Sequence, residues 1–220
     1  MARIFCILLL FIALTSFGQD EEVKFKTIFS GNQSSGGYGA PEFKVGNVNG
    51  ETGLFIGGRG GWIIGHKFVL GGAGYGLTTN NTFMEDPADK PDGVGADSTR
   101  TIDIGMGYGG LLLEYILFPK SAVHLSFPLI IGSGGTTLNA KKYQDDSNLN
   151  PNEWALYDYV ESSGFFLLEP GINVELNMAK FFRLTAGANY RFVSGTNLQR
   201  LSDNDLSGVN FNITFKFGGF

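Results

Sequence analysis

The eleven residues Phe182-Arg183-Leu184-Thr185-Ala186-Gly187-Ala188-Asn189-Tyr190-Arg191-Phe192 alternate between two chemical kinds without a break. Phe182, Leu184, Ala186, Ala188, Tyr190 and Phe192 form an apolar set; Arg183, Thr185, Gly187, Asn189 and Arg191 form a small or polar one. A period of two places these sets on opposite faces of a β-strand. Val209, Phe211, Ile213, Phe215 and Phe217 repeat the pattern around Asn210, Asn212, Thr214 and Lys216. Phe166, Leu168, Pro170, Ile172, Val174 and Leu176 repeat it around Glu169, Gly171, Asn173 and Glu175. Pro170 has no amide to donate, so a bulge or a locally unpaired stretch is expected there.

Upstream the pattern is richer in glycine. Strands are expected at Tyr38–Gly46, Thr52–Ile64, Phe68–Leu77, Ile102–Leu117 and Val123–Gly132. Parity slips inside the fourth, where Asp103 and Glu114 fall on opposite sets. A bulge at Gly109-Gly110 would return both acids to one face, and Pro41 is a second candidate for such a break. Val23–Phe29 also alternates and is a candidate for an extra strand.

Composition agrees with a β architecture. The chain holds 33 Gly, 20 Phe and only 7 Pro, and glycine weakens helix interiors through its backbone entropy. No run of about 18 apolar residues occurs, which excludes membrane-spanning helices. Strands whose apolar and polar residues alternate escape that criterion. Residues 1–18 read as a signal peptide: Arg3 is the positive end, Ile4 to Thr15 the apolar core, and Ser16-Phe17-Gly18 the cleavage site. Cys6, the only cysteine, lies inside this segment, so disulfides and thiolate–metal sites are not expected after cleavage. The processed chain is acidic, which does not suggest nucleic-acid binding. Residues 19–37 are expected to be a periplasmic segment and linker, and 38–220 the folded domain.

The connections supply an independent test. Gly65-His66-Lys67, Phe118-Pro119-Lys120-Ser121 and Asn177-Met178-Ala179-Lys180 are short, whereas Thr78–Thr101 and Gly134–Ser163 are long and acidic. Ser194–Gly208 is intermediate, and Asn47-Val48-Asn49-Gly50 is the short fourth member of the second set. Short and long connections alternate, as in barrels with short periplasmic turns and longer outside loops. The expected fold is all-β: a monomeric, transmembrane, up-and-down antiparallel barrel of about eight strands. Both termini are then periplasmic and the location is the outer membrane, reached by export.

Alternation leaves open which face is wet. Aromatic residues near strand ends (Trp62, Tyr115, Phe182, Tyr190, Phe192, Phe211 and Phe217) match interfacial girdles, which puts the apolar face in lipid. Glu42, Lys44, Arg59, Asp103, Glu114, Glu169, Glu175, Arg183, Arg191 and Lys216 are then expected to line the lumen. Eight strands leave an interior only just wide enough for side chains, so these charges should pair and close the barrel, or else gate a narrow path.

The signal peptide, the meander and the ending Phe211-Asn212-Ile213-Thr214-Phe215-Lys216-Phe217-Gly218-Gly219-Phe220 resemble small OmpA/OmpX-type barrels. The runs Gly36-Gly37-Tyr38-Gly39-Ala40-Pro41 and Gly57-Gly58-Arg59-Gly60-Gly61-Trp62 resemble a family of uncharacterised outer-membrane β-barrel proteins. The resemblance implies a fold and a location, but no activity. It also implies that Phe215, Phe217 and Phe220 form a signal read by the barrel-assembly machinery.

Candidate chemistry is sparse. His124 and Ser126 share one strand face at a spacing also found in an outer-membrane lipid A deacylase, and a hydroxyl beside an imidazole can be a nucleophile with its base. His124 follows a short turn, however, on the side away from the lipid A leaflet. The acids Glu85, Asp86, Asp89 and Asp92, then Asp145, Asp146 and Glu153, then Asp203 and Asp205 lack the ligand spacing of a known Ca²⁺ loop. The glycine runs precede no helix that would make them a phosphate loop. No catalytic, metal or cofactor residue is therefore assigned. The expected role is structural or surface-interacting, with a narrow pore second and a lipid-modifying enzyme third. The partners are outer-membrane lipid, the assembly machinery, and surface ligands reached through loops 78–101 and 134–163, where Trp154, Tyr157 and Tyr159 could form a contact surface.

Overall fold

The computed structural model describes residues 35–85, 100–141 and 157–220. The expected signal peptide, the extra strand at 23–29 and the centres of both long loops lie outside the described residues.

The described chain forms β1 (Ser35–Val48), β2 (Glu51–Ile64), β3 (Phe68–Leu77), β4 (Asn81–Glu85), β5 (Arg100–Leu117), β6 (Val123–Lys141), β7 (Tyr157–Ala179), β8 (Phe182–Ser194), a short helix α1 (Asp203–Leu206) and β9 (Gly208–Gly219). Every pairing is antiparallel between neighbours in sequence, and β1 with β9 and β3 with β5 complete the circle. β3 and β4 both pair with β5, one beyond the other, so together they make one stave. The result is a closed up-and-down barrel of eight staves, whose β3–β5 pairing joins the two ends of the sheet.

Turn chemistry sets the register. Asn49 and Gly50 have φ of 51° and 80°, the left-handed pair that a tight hairpin requires and that Asn-Gly adopts at least cost. Gly65 and His66, at 58° and 61°, do the same between β2 and β3, where the Lys67 amide donates to the Ile64 carbonyl at 3.1 Å.

Several expectations are corrected. The β5–β6 register runs unbroken from Ile102↔Ala140 to Leu117↔Leu125, through Gly110↔Gly132, so Gly109-Gly110 is not a bulge. Asp103 consequently keeps the outward parity of Leu111 and Leu113 and is not a lumen residue, while Glu114 is buried inside. Pro41 likewise causes no slip, since β1 and β2 pair continuously. Toward β8, pairing resumes at Gly171 in the register left at Leu168, so Pro170 leaves a locally unpaired stretch and no bulge. True irregularities occur at Leu138/Asn139 and Asn177/Ala179.

The expected loops 78–101 and 134–163 are shorter than proposed: Asn81–Glu85, Arg100 and Thr101, the rest of β6 through Lys141, and β7 from Tyr157 are all strand. The reason is geometric. β6 and β7 contain 19 and 23 residues, whereas about 9–11 tilted residues cross a bilayer. Their upper turns extend past the apolar belt, and Ser133, Gly135, Thr137 and Asn139 replace Phe127, Leu129 and Ile131 on the outer face.

Burial is inverted relative to a water-soluble barrel. Phe43, Val45, Ile56, Trp62, Leu113, Ile131, Ile172, Val174, Phe211 and Ile213 face outward, whereas Lys44, Arg191 and Lys216 are wholly enclosed. Exposed rings mark both rims, with Phe68 against Tyr115 at 5.0 Å near the short turns and Tyr190 against Phe192 at 4.3 Å toward the other end. Such an exterior is stable in lipid and costly in water.

Candidate functional site: the barrel interior

The interior is a stack of three layers. At the short-turn end Tyr38, Ala40, Ile63, Val69 and Ile116 pack together, with Phe220 against them. At the long-loop end Val48, Phe55, Ile102, Leu138, Phe165 and Val193 are joined by Leu201 and Leu206. Charged and polar groups occupy the space between. The apolar end layers draw on the inner parity of several strands, and β5 contributes most of all with Ile102, Ile104, Met106, Tyr108, Leu112 and Ile116.

The middle layer brings together Glu42, Lys44, Arg59, Glu114, Glu169, Glu175, Arg183, Arg191 and Lys216, all buried. Each carboxylate is shared. Glu42 pairs with Arg59 at 2.8 Å and Lys44 at 3.6 Å, and accepts from Thr214 at 2.6 Å and from the Tyr75 hydroxyl at 3.1 Å. Glu169 binds the Lys44 ammonium and accepts from Tyr108 at 2.8 Å. Glu114 accepts from Tyr38 at 2.7 Å and Lys216 at 2.8 Å. Lys216 also donates to Glu175. Aromatic rings complete the cations' surroundings: the Lys44 ammonium lies 3.4 Å from the Tyr75 centroid, and the Arg191 guanidinium 4.6 Å from that of Phe55.

Reading charges alone missed the three tyrosines. Tyr38, Tyr75 and Tyr108 share the inward parity of their strands, and that parity is the signal that finds them. Asn189, Asn210 and Asn212 were also missed as a unit. Asn189 donates to Asn212 at 3.2 Å and accepts from Asn210 at 3.1 Å, forming a ladder across β8 and β9.

Arg191 stands apart from the carboxylates. Its Nε donates to the Leu206 carbonyl and one terminal nitrogen to the Asn47 carbonyl, both at 2.8 Å, while the other reaches Asn210 at 3.2 Å. These bonds hold the segment 195–207 over the barrel end. The Asn49 amide donates to the Asp205 carbonyl at 2.7 Å. Ser202 and Asp205 form a capping box at α1. Arg200 pairs with Glu85 and, at 3.4 Å, with Glu161. Asp203 accepts from the Thr196 hydroxyl and amide and from the Gly195 amide. Those bonds hold its carboxyl below the usual carboxylate range, the Thr196 hydroxyl contributing most. The acids of this loop are thus engaged within the fold, as is Glu85.

His124 and Ser126 are not a nucleophile and its base. Ser126 Oγ donates to Glu175 Oε1 at 2.6 Å, whereas His124 Nε2 lies 3.1 Å from Glu175 Oε2 and Nδ1 3.3 Å from the Ser121 carbonyl. Both side chains serve the same carboxylate, buried where no substrate reaches them, so their role is structural. Among the described residues no group of three or more His, Cys, Asp or Glu could hold a metal ion.

The three terminal phenylalanines divide between two faces. Phe217 is exposed on the outer wall and Phe215 shares its parity. Phe220 falls on the parity of Lys216 and stacks on Tyr38 at 6.3 Å between centroids. Tyr159, from the expected contact surface, is 68% exposed, while Trp154 lies outside the described residues.

No family model matches the sequence, and no curated protein matches it either. Solved structures do. Neisserial surface protein A is 10% identical, with 83% of this chain and 96% of that one covered and a TM-score of 0.46. Ail, the attachment invasion locus protein of Yersinia pestis, solved with the heparin analogue sucrose octasulfate, is 12% identical, with 84% and 99% covered and a TM-score of 0.45. CarO2 of Acinetobacter baumannii is 12% identical, with 84% and 100% covered and a TM-score of 0.34. The chain's own strands carry the assignment: an up-and-down antiparallel barrel of eight staves, apolar outside and charged within, the architecture of the OmpA/OmpX-type barrels that its sequence resembles.

Proposed function

We propose that this chain is an integral outer-membrane protein with a structural or surface-presenting role and a lumen closed by its own side chains. The observation that carries the reading is the pairing of the enclosed central cations. Lys44, Arg59 and Lys216 each meet at least one carboxylate, and Arg191 meets three oxygens. A conducting path needs hydrated, weakly held groups, whereas here Lys44, Arg59, Arg191 and Lys216 are enclosed and partnered. Residues 1–18 are the export signal and the chain from 19 to the start of β1 at Ser35 the periplasmic lead-in, with both ends of the barrel on the periplasmic side. The barrel stands as a monomer in outer-membrane lipid, delivered by the assembly machinery through a signal that includes Phe215, Phe217 and Phe220. Surface contacts then fall to the tips between β4 and β5 and between β6 and β7.

Planar-bilayer recordings test the closed lumen. The expected trace is silent, and steady unitary steps would overturn it in favour of a narrow pore. Trypsin treatment of intact cells tests the orientation: cleavage at Lys141 or Lys142 is expected, and protection of both refutes it.

A further inference from the structure

The short-turn rim is basic. Lys67, Lys120 and Lys180 stand one to each turn, beside exposed Phe68, Phe118 and Phe181, and these turns contain no acid. The opposite rim carries Glu51, Glu85, Glu161, Asp203 and Asp205.

Behind Lys180 lies a depression of about 410 Å³ walled by Asn177, Ala179, Lys180, Arg183 and Phe220. It exists for two local reasons. The β7–β8 register slips between Asn177 and Ala179, two of its wall residues. Phe220, on inward parity, places its ring beneath the Arg183 guanidinium at 3.9 Å.

Arg183 is unusual among the interior cations. Its side chain keeps only 7% of its surface, yet the closest carboxylate, Glu175, is 3.7 Å away. That carboxylate already takes Lys216, Ser126 and His124. The Arg183 Nε–H is fully buried and has no hydrogen-bond partner, a deficit a folded protein ordinarily avoids. The Asn177 side-chain nitrogen, also in the wall, donates to the Ser121 carbonyl at 2.8 Å. The mouth therefore presents an under-partnered guanidinium and, in Lys180, a solvent-facing ammonium.

We propose that this depression binds a phosphate-type anion, held by Arg183 and Lys180 against the Phe220 ring, and that its source is a phospholipid headgroup. Arginine matches phosphate through its planar fork and lysine adds a point charge. The rings of Phe68, Phe118 and Phe181 put the lysines at headgroup depth. The lipid source rests on the bilayer reading above, but the anion site does not.

The test uses the full chain refolded in maltoside micelles, which contain no phosphate. Inorganic phosphate is titrated while the Arg183 Nε–H resonance is followed by nitrogen-edited NMR. A saturable shift is expected, and Lys180→Gln weakens it by about fivefold, the worth of roughly one exposed charge contact. Arg183→Gln removes it; because that variant risks misfolding, Lys180→Gln with Arg183 intact decides the question. No shift in the parent chain, or an unchanged titration in Lys180→Gln, overturns the site. Short-chain phosphatidylglycerol is expected to compete with phosphate. Binding of phosphate without such competition overturns the lipid source and leaves a soluble anion as ligand. Phosphate binding by a chain that fails to enter vesicles would overturn the bilayer reading alone.

Discussion

Arg191, on β8, donates its Nε–H to the carbonyl of Leu206, the last residue of α1, at 2.8 Å. One buried side chain thereby joins the wall to the segment that covers the barrel end. Helix C-termini leave carbonyls without partners, and a cation is the most effective group to meet them.

Replacing Arg191 with Met is therefore expected to free the cover while the staves persist. Charge-assisted hydrogen bonds contribute about 1.5–3 kcal/mol each, so loss of the set should cost about 3 kcal/mol after repacking. Urea unfolding in vesicles measures the cost. Hydrogen exchange should show protection lost at Asp205 and Ser207 but retained in β8 and β9.

The Lys44–Glu169 pair allows a thermodynamic cycle. Removing one partner of a buried pair strands the other charge and costs about 3–5 kcal/mol. Lys44→Met and Glu169→Leu should each fall near that range, with Glu42 and Tyr108 softening the loss. The double variant should recover most of it, because an apolar pair needs no solvation. A double variant as unstable as the sum of the singles refutes the coupling.

Acid should loosen the cover at Asp203. Its folded-state carboxyl lies below the ordinary value, so its stabilising contribution is complete above the unfolded pKa of about 3.9. That contribution is lost as pH falls through the folded value. Exchange protection at the Thr196 amide should drop in that acidic window and stay constant above it. Asp203→Asn should show weaker protection with no such pH step.

Two glycines distinguish close approach from open space. A Cβ on Gly218 would sit 2.0 Å from the Gly37 carbonyl oxygen, across the β1–β9 seam. A Cβ on Gly39, on the same seam, would meet nothing within 4 Å. Gly218→Ala should impair closure, seen as a smaller folded fraction in unboiled gel electrophoresis. Gly39→Ala should fold as well as the parent or better, since it removes backbone entropy from the unfolded chain.

The three alternations written most plainly in the sequence keep their parity in the barrel. They lie within the belt, where lipid on one side and charge on the other impose a strict alternation on β7, β8 and β9. The upper turns of β6 and β7 were not legible, because their outer face meets water and Ser133, Thr137 and Asn139 erase the contrast. Asp103 was misplaced for a related reason. A glycine pair that can bulge does not have to, and its neighbours on β6 decided that it stayed in register.

Period, turn residues and loop lengths by themselves determined the β architecture, the parity of most strands and nine of the ten expected inward charges. These are local properties, carried by residues one or two apart and by the chirality of the backbone. Only the tertiary structure decided which charges meet, that Arg191 holds the segment 195–207 down, and that Phe220 turns inward beneath Arg183. Such contacts join residues far apart in the chain, from Lys44–Glu169 to Glu114–Lys216. Their partners are selected by barrel closure and stave register, which no stretch of sequence contains alone.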